Sequence, residues 1–257
     1  MTLDPLTLVG LIAIVTLAAV INGAIGFGFA LLAVNALALV LGAKDGVLVM
    51  SLIAPVVSGL QLLRHRRYAP VWRRLLSLVV AGIIGSLIGA QLLVILPAAV
   101  VSIALGAFTV WYVVGALRGD RPPLAHSTER RIAPAIGLVG GISNGTLGAS
   151  GPVFGSYLTA IGLRGREFAF AISLSFFSMA LPRIALFAVV GQYTPALVLG
   201  AVALYLPAIA AQRAGFYFQN RIDPRTLHRA VLVVLFIASV NLLWRGAQGL
   251  LESWPFG

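Results

Sequence analysis

The stretch INGAIGFGFA, Ile21–Ala30, decides how the chain is read. It lies inside an uncharged run from Leu6 to Gly42, and Asn22, Gly23, Gly26 and Gly28 are poor material for the middle of a helix. One continuous helix over those 37 residues would be roughly 55 Å long, against a hydrocarbon core of about 30 Å. The run is therefore expected to hold two shorter helices that meet near the Asn-Gly pair. Glycine permits the positive φ and the close backbone approach that such a break needs.

Working outward, the rest of the chain is of the same kind. Of its 257 residues 60% are hydrophobic and only 10% charged, with a mean hydropathy of +1.02. Long apolar runs with few charges indicate a polytopic helical membrane protein. The short alternating segments of a transmembrane barrel are absent. Asp4 and Pro5 precede the first run, which is also far longer than a signal-peptide core. The net charge of +11 does not point to nucleic acid, because the arginines punctuate apolar runs as topology signals do. Cysteine is absent, which excludes disulfides and thiolate metal sites.

Charges and prolines divide the chain into apolar blocks at 6–42, 46–63, 71–96, 98–117, 132–162, 168–191, 195–217 and 226–251. The polar linker RGDRPPLAHSTERR, Arg118–Arg131, separates a first membrane repeat, 1–117, from a second, 132–257. Landmarks recur in order. NGAIGFG from Asn22 is matched by NGTLGASG from Asn144, and each block then ends at a glycine, Gly42 or Gly162. YAP at Tyr68 is matched by YTP at Tyr193, and GAQ at 89–91 by AAQ at 210–212. Weakly similar halves are the sequence sign of a transporter repeat.

Arginine positions set the orientation. Cationic loops are cytoplasmic, and the strongest clusters are Arg64–Arg74, Arg118–Arg131 and Arg213–Arg229. Three single crossings between the second and third clusters would put the third outside. An even number of crossings by block 132–162 removes the conflict and brings Arg164 and Arg166 inside. Fifteen of the 18 basic residues are then inside, with Lys44 and Arg245 outside and Arg183 within a membrane block. The same parity puts 43–46 outside and 64–74 inside, so the two repeats are inverted. The expected architecture is all-α, with two inverted repeats. Each has a broken or re-entrant glycine-rich first segment followed by three spans, about eight to ten membrane segments in total.

Two inverted Asn-Gly motifs would approach a central site from opposite faces, offering free N–H groups and helix-dipole ends suited to an anion. Ser143, Thr146 and Ser150 would add hydroxyls. Close packing through small residues is the competing reading of the glycines. Arg183, in FFSMALPRIALF, lies deep in its block and follows Pro182. A charge there is costly and suits an oxyanion clamp; the alternatives are snorkelling or pairing with carbonyls at the Pro kink. The matching region of the first half, near Ser58–Gln61, carries no charge.

Gln61, Gln91, Gln212, Asn35 and Asn241 read as interhelical hydrogen-bonding groups, and Trp72, Trp111, Trp244 and Trp254 as interface anchors. His65, His126 and His228 have no metal-ligand spacing and read as surface residues. None of the seven acidic residues lies deep in an apolar block, which disfavours carboxylate proton relays and cation sites. No catalytic constellation, cofactor motif or Walker sequence is visible, so an enzyme is not expected.

The stretches NGAIGFGFALLAVNALALVLG and GLVGGISNGTLGASGPVFGSYLTAIGLRGREFAFAISL resemble the sulfite exporter TauE/SafE family of membrane permeases. The resemblance covers essentially the whole chain and implies transport of small anions, typically sulfite, organosulfonates and related sulfur compounds, across a bacterial inner membrane. By that resemblance Asn22, Gly23, Gly26, Gly28, Asn144, Gly145, Gly148 and Gly151 correspond to the family's glycine-rich segments. The chain departs from the pattern at Gly28-Phe29-Ala30, which lacks a further glycine and proline, and at Ser150 ahead of Gly151 and Pro152.

The expected function is an inner-membrane permease for a small anion, working by alternating access without a cofactor. Its partners are the lipid bilayer and the anion, not nucleic acid. Its expected binding residues are Asn22, Gly23, Gly26, Gly28, Asn144, Gly145, Thr146, Gly148, Ser150, Gly151 and Arg183. A transporter or channel for a metal cation or neutral metabolite, and a non-transporting accessory subunit, are the rival readings.

Overall fold

A computed structural model describes residues 5–25, 29–117, 126–218 and 224–252. Gly26, Gly28, Asp4, Arg118, Asp120, Arg121, Arg221, Asp223 and Trp254, all used in reading the sequence, lie outside the described residues, as does 118–125 of the linker.

The described chain is helical: α1 Pro5–Ile25, α2 Phe29–Leu41, α3 Ala43–Arg64, a 3-10 stretch Arg66–Leu75, α4 Leu76–Ile95, α5 Ala98–Leu117, α6 His126–Leu147, α7 Gly151–Ala160, α8 Gly165–Val189, α9 Pro195–Ala203, α10 Tyr205–Phe218 and α11 Pro224–Glu252. His126–Arg131, assigned to the linker from sequence, form the first turns of α6. Among the described residues six helical segments are long and apolar enough to cross a membrane, with Val9–Ala24 and Phe29–Leu41 as shorter apolar helices. Apolar side chains also cover the outside, as with Val80, Ile84 and Ile88 on α4 and Val233, Phe236 and Ile237 on α11. A helix apolar on every face belongs in lipid or in a core. The protein is a multi-pass membrane protein.

Gly42 and Gly162 end their helices as the sequence predicts, at φ 89° and 85°. Gly42 N–H donates to Ala38 O and Gly162 N–H to Thr159 O, closing the last turn of α2 and of α7.

Glycine stripes set the main pairings. In α4·α6, Gly82, Gly85 and Gly89 face Gly137, Gly141 and Gly145; a Cβ on Gly145 would strike Ser86 O, and one on Gly89 would strike Ile142 O. In α1·α10, Gly23 and Gly215 face each other, with Gln212 O and Val20 O in the way of any side chain. Between α5 and α11, Gly106 packs on Leu243 and Ser239 O, and Gly246 on Ile103 and Ala99 O. In lipid, where apolar surface gives no driving force between helices, close backbone approach supplies the van der Waals contact. Further packed pairs are α2·α3, α3·α8, α4·α8, α3·α10, α1·α2, α6·α7 and α3·α9.

Arg74 holds one end of the bundle. Its Nε and Nη2 donate to Glu129 at 2.6 and 2.7 Å, and Nη2 also to Ile161 O at 2.9 Å. The start of α6 and the end of α7 therefore share one end of the molecule. At the other end, Leu11 of α1, Leu41 of α2 and Lys44 of α3 line one vestibule.

Candidate functional site

The second broken segment turns at Gly148, whose φ of 67° admits glycine readily. Its N–H donates to Asn144 O, closing α6, and Ser150 then caps α7 with its carbonyl accepting from Val153 and Phe154 N–H. Pro152 has no N–H, so the Gly151 N–H is the donor left at the α7 N-terminus.

Arg183 meets this turn. It is 1% exposed, which excludes snorkelling. Its Nη1 donates to Asn144 O at 2.5 Å and Asn144 Oδ1 at 2.8 Å, and Asn144 Nδ2 donates to Ser150 Oγ at 3.1 Å. The cation thus sits at the carbonyl end of α6, where the helix dipole is negative. The expectation that helix ends here offer mainly positive dipole is corrected: a negative end and a positive end meet, and Arg183 neutralises the first. Arg183 Nε is buried and unpartnered.

The motif residues divide by task. Asn144, Gly148, Ser150, Gly151 and Arg183 are brought together at the turn. Gly145 and Thr146 face α4 instead: Gly145 packs on Ser86 and Ala90, and Thr146 Oγ1 donates to Gly89 O at 3.0 Å. Ser143 Oγ is turned back to Val139 O. Asn22 and Gly23 lie within α1, one turn before its end, and Gly23 packs on α10. Neither Asn-Gly pair is the turn itself; each sits in the last turns of its helix, with its glycine spent on packing.

Near Asn22 two glutamines bond backbone oxygens. Gln61 Nε2 donates to Asn22 O at 3.3 Å, and Gln212 Nε2 to Val57 O at 3.0 Å. The interhelical role expected of both is what the geometry shows, but each leaves an atom over. Among the described residues the buried side-chain atoms without a partner are Gln61 Oε1, Ser86 Oγ, Arg183 Nε and Gln212 Oε1. Asn35 is satisfied by Leu31 O and Thr109 Oγ1.

A vestibule of about 470 Å³ opens where α3 begins and α8 turns into α9, lined by Lys44, Asp45, Gln192 and Thr194 among apolar residues. Lys44 Nζ donates to Val94 O at 3.1 Å. Tyr193 lies between Gln192 and Thr194. Its hydroxyl bonds Ser51 Oγ at 2.6 Å, its ring meets Phe187 edge-on at 6.1 Å, and it is within electrostatic reach of Arg183. Tyr193 and Ser51 were not among the expected site residues. The only sequence signal was the YTP match to YAP, which marks a repeat position without revealing a function.

His65 corrects another expectation: it is buried at the junction of α3 and the 3-10 stretch, not on the surface. Burial first, then Arg64 and Arg166, hold its pKa below the usual histidine value. Of the acidic residues, Asp45 lines the vestibule, Glu129 pairs with Arg74, and Glu167 is exposed.

Comparison with curated proteins and with solved structures returns no significant match. The sequence profile of the sulfite exporter TauE/SafE family matches residues 11–242, nearly the whole chain. With its apolar spans and its buried polar turn, the chain belongs to the sulfite exporter TauE/SafE family of membrane permeases.

Proposed function

We propose that the protein is a permease of the bacterial inner membrane for a small anion, sulfite, an organosulfonate or a related sulfur oxyanion. The anion binds at the α6–α7 turn and is exposed alternately to the two sides by motion of two inverted repeats. The observation that carries this reading is Arg183, a fully buried cation whose Nε has no protein partner. Its Nη1 is engaged by Asn144, and the guanidinium fork leaves donors for an oxyanion, joined by Ser150 Oγ and the Gly151 N–H. Gly145, Thr146 and Gly148 hold the turn in place. Asn22, Gly23, Gly26 and Gly28 are its equivalents in the first repeat.

Support for the inverted repeat comes from the packing. Exchanging α1 for α6, α2 for α7, α3 for α8, α4 for α10 and α5 for α11 turns α1·α10 into α4·α6, α2·α3 into α7·α8 and α3·α10 into α4·α8, all of them observed pairs. Gln61 and Arg183 each stand 18 residues beyond the start of their helix, and each donates to the backbone oxygen of its motif asparagine. Arg74, which joins the start of α6 to the end of α7, supports an even number of crossings by the second segment, as a re-entrant hairpin or as two crossings. The Tyr193–Ser51 bond is the closure between the vestibule and Arg183.

The test is flux of sulfite and of a small sulfonate into liposomes bearing the purified protein. Wild type moves at least one of them, and Arg183→Gln loses about 100-fold or more, since a charge-assisted site loses both its charge and its fork. Absence of anion flux by the wild type, or full flux by Arg183→Gln, would refute the reading.

A further inference from the structure

The 3-10 stretch Arg66–Leu75 joins two spans. α3 before it has 22 residues and α4 after it has 20, roughly 33 and 30 Å, so each by itself crosses a hydrocarbon core of about 30 Å. Both ends of the stretch therefore lie at one membrane boundary. Its ten residues, roughly 20 Å at the 3-10 rise, run along that boundary and pack on α8 and α4. Every third residue of a 3-10 helix shares a face. Tyr68, Val71 and Arg74 form the face turned to the protein: Tyr68 is half-buried, Val71 packs on the cluster around Leu75 and Phe154, and Arg74 holds Glu129. Arg67, Pro70 and Arg73 form a second face and are all exposed, as are Arg66 and Trp72 on the third.

The charge of the two outer faces is not matched from within the protein. Glu129 pairs with Arg74, and Glu167 is within electrostatic reach of that same arginine. Among the described residues no carboxylate lies within ion-pair distance of Arg66, Arg67 or Arg73. Arg130 on α6 and Arg166 on α8, each next in sequence to one of those two glutamates, are exposed and add to the positive field. Trp72, 44% exposed, heads a different kind of surface. At four-residue spacing after it come Leu76, Val80, Ile84 and Ile88, all exposed on the lipid side of α4. An exposed tryptophan at the head of such a stripe marks the headgroup level, and Arg73 is its neighbour in sequence.

A basic surface in the headgroup layer, continuous with an apolar stripe, is complementary in both parts to one class of ligand. An acidic protein or a nucleic acid would match the charge and leave Trp72 and the stripe unused. We propose that the Arg66–Arg73 stretch is a binding site for an anionic phospholipid of the leaflet in which it lies. Arg67 and Arg73, two turns or roughly 12 Å apart on one face, reach over Pro70 to a single phosphate, which the guanidinium fork suits. Arg66 adds charge, Trp72 packs at the glycerol level, and the acyl chains follow Leu76 to Ile88. The bound lipid steadies the connector that ties α3 to α4 across α8. The site stands whatever anion the permease carries, so its failure leaves that reading untouched.

The experiment offers detergent-purified full-length protein an equimolar mixture of phosphatidylglycerol and phosphatidylcholine with the same acyl chains. Retained lipid is counted by native mass spectrometry, and the unfolding temperature is read with each lipid alone. Wild type retains phosphatidylglycerol over phosphatidylcholine by about fivefold or more, the weight of one basic side chain near an anionic headgroup, and unfolds at a higher temperature with phosphatidylglycerol. In the double variant Arg67→Gln, Arg73→Gln the preference falls to within about twofold and the temperature difference disappears. Each single variant lowers the preference part of the way and serves if the double variant does not fold. Arg245→Gln, whose side chain bonds Leu39 O near the vestibule end, keeps the wild-type preference. Equal retention of the two lipids by wild type, or an unchanged preference in the double variant, overturns the proposal. So does an equal rise in unfolding temperature with inorganic phosphate or with soluble polyglutamate in place of lipid, which would make this face a site for free anions or for acidic proteins.

Discussion

At the scale of single residues the molecule turns on Arg183. Lysine is not a substitute, because it has no Nε–H and no planar fork to hold Asn144 and an oxyanion together. Arg183→Lys is expected to keep the fold, by thermal unfolding in detergent, yet recover less than about a tenth of wild-type flux. Wild-type-like flux in that variant would mean that the charge alone matters. His65 makes a different prediction. Its folded pKa is below its unfolded value, so the unfolded chain takes up a proton first as pH falls. Its neutral form favours folding fully above about pH 6.5, and that contribution is lost progressively below it. The unfolding temperature should drop between about pH 7 and pH 5, and His65→Asn should flatten that slope. An identical slope in the variant would place the acid sensitivity elsewhere. Arg183 was legible in the sequence as a buried charge, whereas its partner was not, because Asn144 is 39 residues away and only the α6–α8 arrangement brings them together.

At the scale of elements, glycine does two jobs that the sequence did not separate. Gly148 bends the chain, while Gly23 and Gly145 let helices touch. Gly145→Ala places a methyl against Ser86 O and Ala90 N, and Gly23→Ala places one against Gln212 O. Each should destabilise by about 1–3 kcal/mol, the usual cost of overpacking, read as a lower unfolding temperature. Gly115→Ala, with nothing within 4 Å of the added methyl, is the silent control. Equal stability of all three variants would mean that the α4·α6 and α1·α10 contacts are not tight. Tyr193 and Ser51 belong to this scale too, because their bond ties the α8–α9 turn to α3. Its loss in Tyr193→Phe or Ser51→Ala removes about 1 kcal/mol from the closed form, a population change of about fivefold. A membrane-impermeant thiol reagent added on the vestibule side should then modify Ser150→Cys about fivefold faster. An unchanged rate would show that the bond does not gate the turn.

At the scale of the whole molecule the test is sidedness, and the absence of native cysteine makes single-cysteine labelling direct. Arg164→Cys and Arg166→Cys should react from the cytoplasmic side, and Lys44→Cys from the opposite side. Reaction of Lys44→Cys and Arg164→Cys from the same side would break the inverted arrangement. Hydropathy alone determined that the chain is an all-helical membrane protein, because 60% apolar residues in long uncharged runs have no other stable home. The glycine landmarks located the helix ends at Gly42 and Gly162 and the interruption of the 132–162 block, since positive φ is a local property written in residue type. What only the tertiary structure decided is how the buried polar groups are shared out. Asn144 and Arg183 pair, Asn22 turns to Gln61, Thr146 is spent on α4, and Tyr193 reaches Ser51. Those partners lie 39 to 142 residues apart. In a low-dielectric interior each such group must find whichever partner the packing delivers, and packing between distant helices leaves no trace in local sequence pattern.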